Sequence, residues 1–535
     1  MNRTRKIVKK IAAGVIASAL TITGGSTVFA AESYKDVEKG AVKTLASGAE
    51  DYFSLYAKEM EAAKTGSSGK LTLKVEDTGK AMFGAMTGMD MSWLNTIGMD
   101  IDAAVGDGLS GVKYDFLLNE GHLLTMNFLM DMTAMSEYVQ FPELAENYLH
   151  IPLETTMIDE NGNEITGPEA ELANQISANL LSMNWDGKTM GTLVERYGNL
   201  FVDHMEEGAS AAETVSVEGV SEEATLYEGL MDTENAQKAV EDILTTAKDD
   251  QELKTLFDNL TEGADTGEDF YKEFQTSIDD ALADLKEGTA DAEDDTMFSS
   301  KVWVNQAGKI IGREWGTVDG AETVPALTWK NPSADGTSAL LVEINDSNAG
   351  GSLTLTGTGT SVDGILNGDY TLAEDGVKTA NINVANLNTK PEKMGYYNGT
   401  FTLTFLDNGT EENPNPMSMF SAVLNITSDA AAETSKFDLT VNSSGAPLLT
   451  LTMEDANEEA ADVPAKEDVT DALDAADSEQ MKAYVERMDW AGVLDNAKAA
   501  GMPEELASQI DQMIQSAMTS MENAETGEGD SAVTE

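Results

Sequence analysis

Gly111-Val-Lys-Tyr-Asp-Phe-Leu-Leu-Asn-Glu-Gly-His-Leu-Leu-Thr-Met-Asn-Phe-Leu-Met-Asp-Met132 decides the fold class. Val112, Tyr114 and Phe116 alternate with Lys113 and Asp115, the period of two that marks a half-buried strand. Asn119-Glu120-Gly121-His122 turns the chain, and Leu124, Met126, Phe128, Met130 and Met132 then fall on one side, opposite Thr125, Asn127 and Asp131. The passage predicts a long antiparallel hairpin with one apolar flank and helices lying across it. Its apolar side chains are the candidate ligand-binding residues.

The same texture recurs on either side. Leu71, Leu73 and Val75 alternate with Thr72, Lys74 and Glu76. Between 298 and 453 come Leu340/Val342/Ile344, Phe401/Leu403/Phe405, Ala422/Leu424/Ile426, Phe437/Leu439/Val441 and Leu449/Leu451/Met453. Turn signals separate them at Asn367-Gly368, Asp375-Gly376 and Asn408-Gly409. About ten strands are expected there, joined closely enough for antiparallel meanders. Helical stripes run through 31–66, 168–207, 234–285, 478–499 and the segment opened by Pro503, with a short strand pair at 214–217 and 225–230.

The expected fold class is therefore α+β: large antiparallel, curved sheets, half-barrel-like, packed against helices and followed by an acidic helical C-terminal tail. The expected organisation is a signal peptide (1–30), an N-terminal α+β region (31–231), an acidic helical connector (232–297), an antiparallel β region (298–455) and an acidic helical C-terminal region (456–535) with a disordered end.

The first thirty residues read as an address. Arg3, Arg5, Lys6, Lys9 and Lys10 precede a twelve-residue apolar run, Ile11–Ile22, and Val28-Phe29-Ala30 supplies the small residues of a cleavage site. Cleavage is expected between Ala30 and Ala31. Twelve apolar residues are too few for a bilayer that needs about 20, so secretion without a membrane anchor is expected. With no cysteine there is no lipobox, no disulfide and no cysteine-bound metal.

Charge narrows the function. The chain carries 95 acids against 33 bases, a net −62, and loses five cations on cleavage. A body of that sign repels phosphate backbones, so no nucleic-acid partner is expected. Acidity of this degree keeps a secreted chain soluble, and a monomer is expected.

Catalytic motifs fail one by one. Asp159–Asn163 opens like a calcium loop but places Glu164 where glycine is required and Ala170 where a bidentate Glu belongs; Asn161-Gly162 reads instead as a type I′ turn. Gly357-Thr-Gly359 lacks the third glycine of a dinucleotide fingerprint, and Gly66–Lys70 is no phosphate loop. His122, His150 and His204 show no metal spacing. No catalytic residue, metal or cofactor is assigned. Glycoside hydrolysis needs only two carboxylates, but few aromatics are available to stack on sugar.

Tyr138-Val-Gln-Phe-Pro-Glu-Leu-Ala-Glu-Asn-Tyr-Leu-His-Ile151 and Ala307-Gly-Lys-Ile-Ile-Gly-Arg-Glu314 resemble phrases of large uncharacterised secreted proteins of Gram-positive anaerobes. That group carries no activity over to this chain. The layout of a wide sheet with helices in its concavity also resembles the half-barrel of LolA-type lipoprotein carriers, which implies a surface that holds acyl chains. The chain departs from the anchored members in lacking the lipobox cysteine.

The leading expectation is a secreted, non-catalytic binding or cell-envelope accessory protein that holds an apolar or lipid-like small molecule under a sheet. The density of methionine, flexible and polarizable, supports such a surface. The alternatives are a secreted glycan hydrolase and a structural or adhesive surface component.

Overall fold

The computed structural model describes residues 33–525 except 65, 107, 133, 154–156, 159–163, 166–185, 261–269, 288–296, 320–321, 347–350, 394, 410–414 and 457–462. The signal peptide with its Ala30–Ala31 cleavage site, the Asn161-Gly162 turn, the Asp159–Asn163 loop, the 168–185 part of the expected helix and the expected disordered end lie outside the described residues.

The described residues open with α1 (Tyr34–Ala63), β1 (Ser67–Val75) and α2 (Asp77–Thr87). A meander follows: β2 (Thr96–Gly106), β3 (Leu109–Leu118), β4 (Gly121–Asp131), β5 (Ser136–Gln140) and β6 (Leu149–Pro152). Next come α3 (Gly187–Asp203), β7 (Glu206–Val217), β8 (Val220–Met231), α4 (Thr233–Lys248), α5 (Gln251–Leu260) and α6 (Phe270–Glu287). A second run of strands comprises β9 (Met297–Asn305), β10 (Ile310–Asp319), β11 (Glu322–Lys330), β12 (Thr337–Asp346), β13 (Gly351–Val362), β14 (Ile365–Glu374), β15 (Val377–Asn388) and β16 (Gly399–Phe405). The described residues close with β17 (Phe420–Asp429), β18 (Thr434–Ser443), β19 (Ala446–Ala456), α7 (Ser478–Glu486), α8 (Trp490–Ala499) and α9 (Glu504–Glu525). The fold class is α+β on a large, curved, mostly antiparallel sheet.

Two compact units are interleaved in sequence. The described residues of the first fall within 33–59, 186–390 and 399–418. Its strands pair antiparallel in the order β7-β8-β9-β10-β11-β12-β13-β14-β15-β16. Tyr34, Val37 and Ala41 of α1, three and four residues apart, form one stripe against Val302, Val304, Ile310, Trp329, Met205 and Met231. Trp303 and Ile311 face the other way, into a smaller cluster with Val215 and Ala224.

The described residues of the second unit fall within 60–165, 391–398 and 419–525. Its order is β17-β18-β19-β1-β2-β3-β4-β5-β6, all antiparallel, with the two-residue strand Leu473–Asp474 parallel to β6. Pairing of β1 with β19 brings Leu71 opposite Met453, its distant partner in sequence.

Several local expectations are corrected. Asn367-Gly368 is not a turn: both residues lie inside β14, opposite Thr360 and Gly359, and the chain reverses at Asp363-Gly364 with φ of 51° and 81°. The reason is an aromatic ring. A Cβ on Gly368 would stand 2.7 Å from the Tyr370 hydroxyl oxygen, and one on Gly359 2.9 Å from the same atom, so these glycines make room for Tyr370. Asp375-Gly376 does turn, with φ of 49° and 74°, the signature of a type I′ hairpin. The pair expected at 214–217 and 225–230 extends to β7 and β8; Glu206–Glu213, acidic and exposed, is held as a strand by its partner's ladder. One helix expected over 478–499 is two: the first ends at Glu486 with Arg487 as its C-cap, and Asp489 caps the second, accepting from the Ala491 and Gly492 amides at 3.1 and 3.4 Å.

Candidate functional site

The β3–β4 reversal occupies Asn119 and Glu120, both left-handed at φ 49° and 66°. Asparagine tolerates that conformation, and its side chain fixes the corner. Asn119 Oδ1 accepts from the Asn95 and Thr96 amides (2.7 and 3.1 Å), while Nδ2 donates to the carbonyls of Trp93 (2.9 Å) and Ala500 (2.7 Å).

From this corner the register builds an apolar layer. Leu124 stands opposite Phe116, Met126 opposite Tyr114 and Phe128 opposite Val112. Cross-strand partners point to the same face, so the row containing Leu124 continues through Phe116, Met99, Leu71, Met453, Phe437 and Ile426. A neighbouring row runs Leu118, Ile97, Leu73, Leu451, Leu439 and Leu424. The opposite face carries Lys70, Asp100, Asp115, Glu454 and Lys436, with Lys70–Asp100 at 3.4 Å and Lys436–Glu454 at 2.8 Å. Along these rows one flank is greasy and the other ionic.

The apolar flank is half open. Leu124, Met126, Phe128 and Met130 are half-buried, and Ile97 and Met453 are 47% and 49% exposed. In β4 the residues fully removed from solvent are Leu129 and Asp131, on the other face. Leu129 packs with Tyr148 and Val469, and the carbonyl oxygen of Pro464 would lie 2.5 Å from a Cβ on Gly111. Segment 463–469 thus lies over the Leu129 side of β3 and β4. This corrects the expectation of which side of the hairpin is the deeper: the fully buried residue is Leu129, not its neighbours Phe128 and Met130. Met132 also departs from expectation, lying in the turn after β4, where its amide donates to the Gly108 carbonyl at 2.8 Å.

The three histidines each meet different partners. His204 Nε2 lies 2.8 Å from Asp242 Oδ2, and His150 Nε2 lies 3.0 Å from Ser136 Oγ with its ring tilted against Tyr138. His122 is held by two carboxylates: Nδ1 is 2.6 Å from Asp115 Oδ1 and Nε2 is 2.9 Å from Glu143 Oε1. Among the described residues no group of three or more His, Asp or Glu is arranged to hold a metal ion.

Two polar clusters escaped the reading of the sequence. In the first unit Arg313 donates from Nη1 to both Glu38 carboxylate oxygens, at 2.7 and 2.9 Å, with both residues buried. Burial and the Glu38 charge push the Tyr34 hydroxyl well above its ordinary value. In the same unit Arg196 and Tyr197 both donate to Asp250, the Tyr197 hydroxyl at 2.7 Å. Asp250 Oδ1 also accepts the Glu252 and Leu253 amides, at 2.9 and 3.2 Å. Both clusters fasten helices. Long sequence separation, 275 residues for Glu38–Arg313, leaves no local signal.

Comparison with known proteins finds no matching family model, no matching curated protein and no matching solved structure. Among the described residues no helix is long and apolar enough to cross a membrane.

Proposed function

We propose that the protein is exported and non-catalytic, and that it holds an apolar or lipid-like molecule against the open flank of the second unit's sheet. The observation that carries this reading is the unbroken row from Leu124 to Ile426, whose members stay half-exposed while the reverse face is ionic. Contiguous apolar surface beyond a few hundred Å² on a soluble chain marks an interaction surface. Methionines at 99, 126, 130 and 453 give that surface side chains that adapt to a flexible chain. The leader-like first thirty residues support export, and the strong negative charge disfavours anionic headgroups.

Native mass spectrometry and solvent extraction of the purified chain test the reading. Copurified long-chain lipid, displaced by added fatty acid, is the expected result. Recovery of an empty chain that also fails to take up an apolar fluorophore contradicts it.

A further inference from the structure

β5 pairs with β4 only from Asn127 onward, so among the described residues no strand lies beside the outer edge of Gly121–Met126. Exposed backbone of this kind is a template for another chain. Here two side chains occupy it. Glu143 Oε2 accepts the Thr125 amide at 2.9 Å, and Asn496 Nδ2 donates to the Leu123 carbonyl at 3.1 Å. Leu123 and Thr125 are two residues apart and present their backbone groups to the same side, so the two caps continue the ladder where β5 stops.

Glu143 is itself held by His122. An imidazole that meets carboxylate oxygens at both nitrogens, as His122 does at 2.6 and 2.9 Å, must donate from both and therefore be the cation. The geometry points to His122 as a pH-sensitive fastener: its protonated ring clamps Glu143 onto the edge of β4, and deprotonation releases that cap and bares the strand.

The charged surroundings agree. Asp115 from β3 and Glu143 from the segment between β5 and β6 face the ring directly. Lys113 lies two residues from Asp115 on its strand, Glu120 sits in the turn, and Asp100 and Lys70 on the next strands pair with each other at 3.4 Å. From the C-terminal helices the corner receives Asn496 and the Ala500 carbonyl, while Asp495 and Lys498 pair with each other at 2.6 Å. Partial burial alone would lower the His122 pKa, but hydrogen bonds and charge from Asp115 and Glu143 hold it above 6.5. Burial would raise Glu143, but the Thr125 amide and His122 bring it below 4.5. The clamp is thus complete between those limits. It is lost as pH rises through the raised His122 value, and again as pH falls through the depressed Glu143 value.

Two measurements on the full mature chain test this: histidine-selective NMR titration, and hydrogen exchange of the 121–131 peptide corrected for intrinsic rate. The expected result is a His122 midpoint above 6.5 and a loss of peptide protection of about tenfold or more across that midpoint. H122Q and E143Q are expected to show low protection at every pH. A His122 midpoint at or below 6.5, or wild-type protection that does not change through the titration, overturns the proposal. The wild-type titration alone decides the matter if a variant does not fold.

Discussion

Glu38 and Arg313 show what one buried contact does. The pair ties α1 to β10, and each ion is out of water with the other as its counter-charge. Removing one partner strands the other in a poor solvent, which costs about 3–5 kcal/mol, whereas replacing both by packed apolar groups costs far less. R313M is therefore expected to lower the urea midpoint of the first unit sharply, and E38L/R313M to recover most of it. Asp250 behaves differently, because neutral donors, the Tyr197 hydroxyl and the Glu252 and Leu253 amides, hold it alongside the Arg196 charge. Burial works against its ionised form, but Arg196 and Tyr197 outweigh that and bring its pKa to about 2. A depressed carboxylate contributes stability above its ordinary value of 3.8 and loses it as pH falls through about 2. Circular dichroism followed down to pH 2 should show an acid limb in the wild type that is flattened in D250N, with D250N less stable at neutral pH.

At the scale of elements, the hairpin β3–β4 was legible and its depth was not. Alternation assigns Leu124, Met126, Phe128 and Met130 to one side correctly, because period two is a property of the backbone. Which side sinks deeper depends on what arrives from elsewhere: here segment 463–469, which seals Leu129. The two sides should answer differently to substitution. L129A, at 1% exposure, is expected to cost about 2–5 kcal/mol in thermal or urea unfolding. F128A, half-buried, should cost less and act on apolar-probe binding instead. Elements misread in the sequence share a cause. Asn367-Gly368 carries turn chemistry but serves a neighbouring ring, and Glu206–Glu213 lacks strand propensity but is recruited by β8. In each case a tertiary contact overrides a local preference. The His122 clamp lay in plain view as residues, yet its second carboxylate, Glu143, comes from beyond the next strand.

At the scale of the molecule, the order of the second unit's sheet depends on β1 meeting β19, a junction that pairs Leu73 with Leu451. No composition or spacing announces that partner, so the unbroken apolar flank is a product of topology added to periodicity. The absence of native cysteine makes that flank directly measurable, since any introduced thiol is unique. Single cysteines at Ile97 and Met453 report the apolar side, and single cysteines at Lys70 and Glu454 report the ionic side. The decisive measurement is maleimide labelling of all four variants with and without excess long-chain fatty acid. The account predicts that ligand slows labelling at 97 and 453 by about tenfold, a 1.4 kcal/mol effect, and leaves 70 and 454 unchanged. Equal rates at all four positions, with and without ligand, would contradict it.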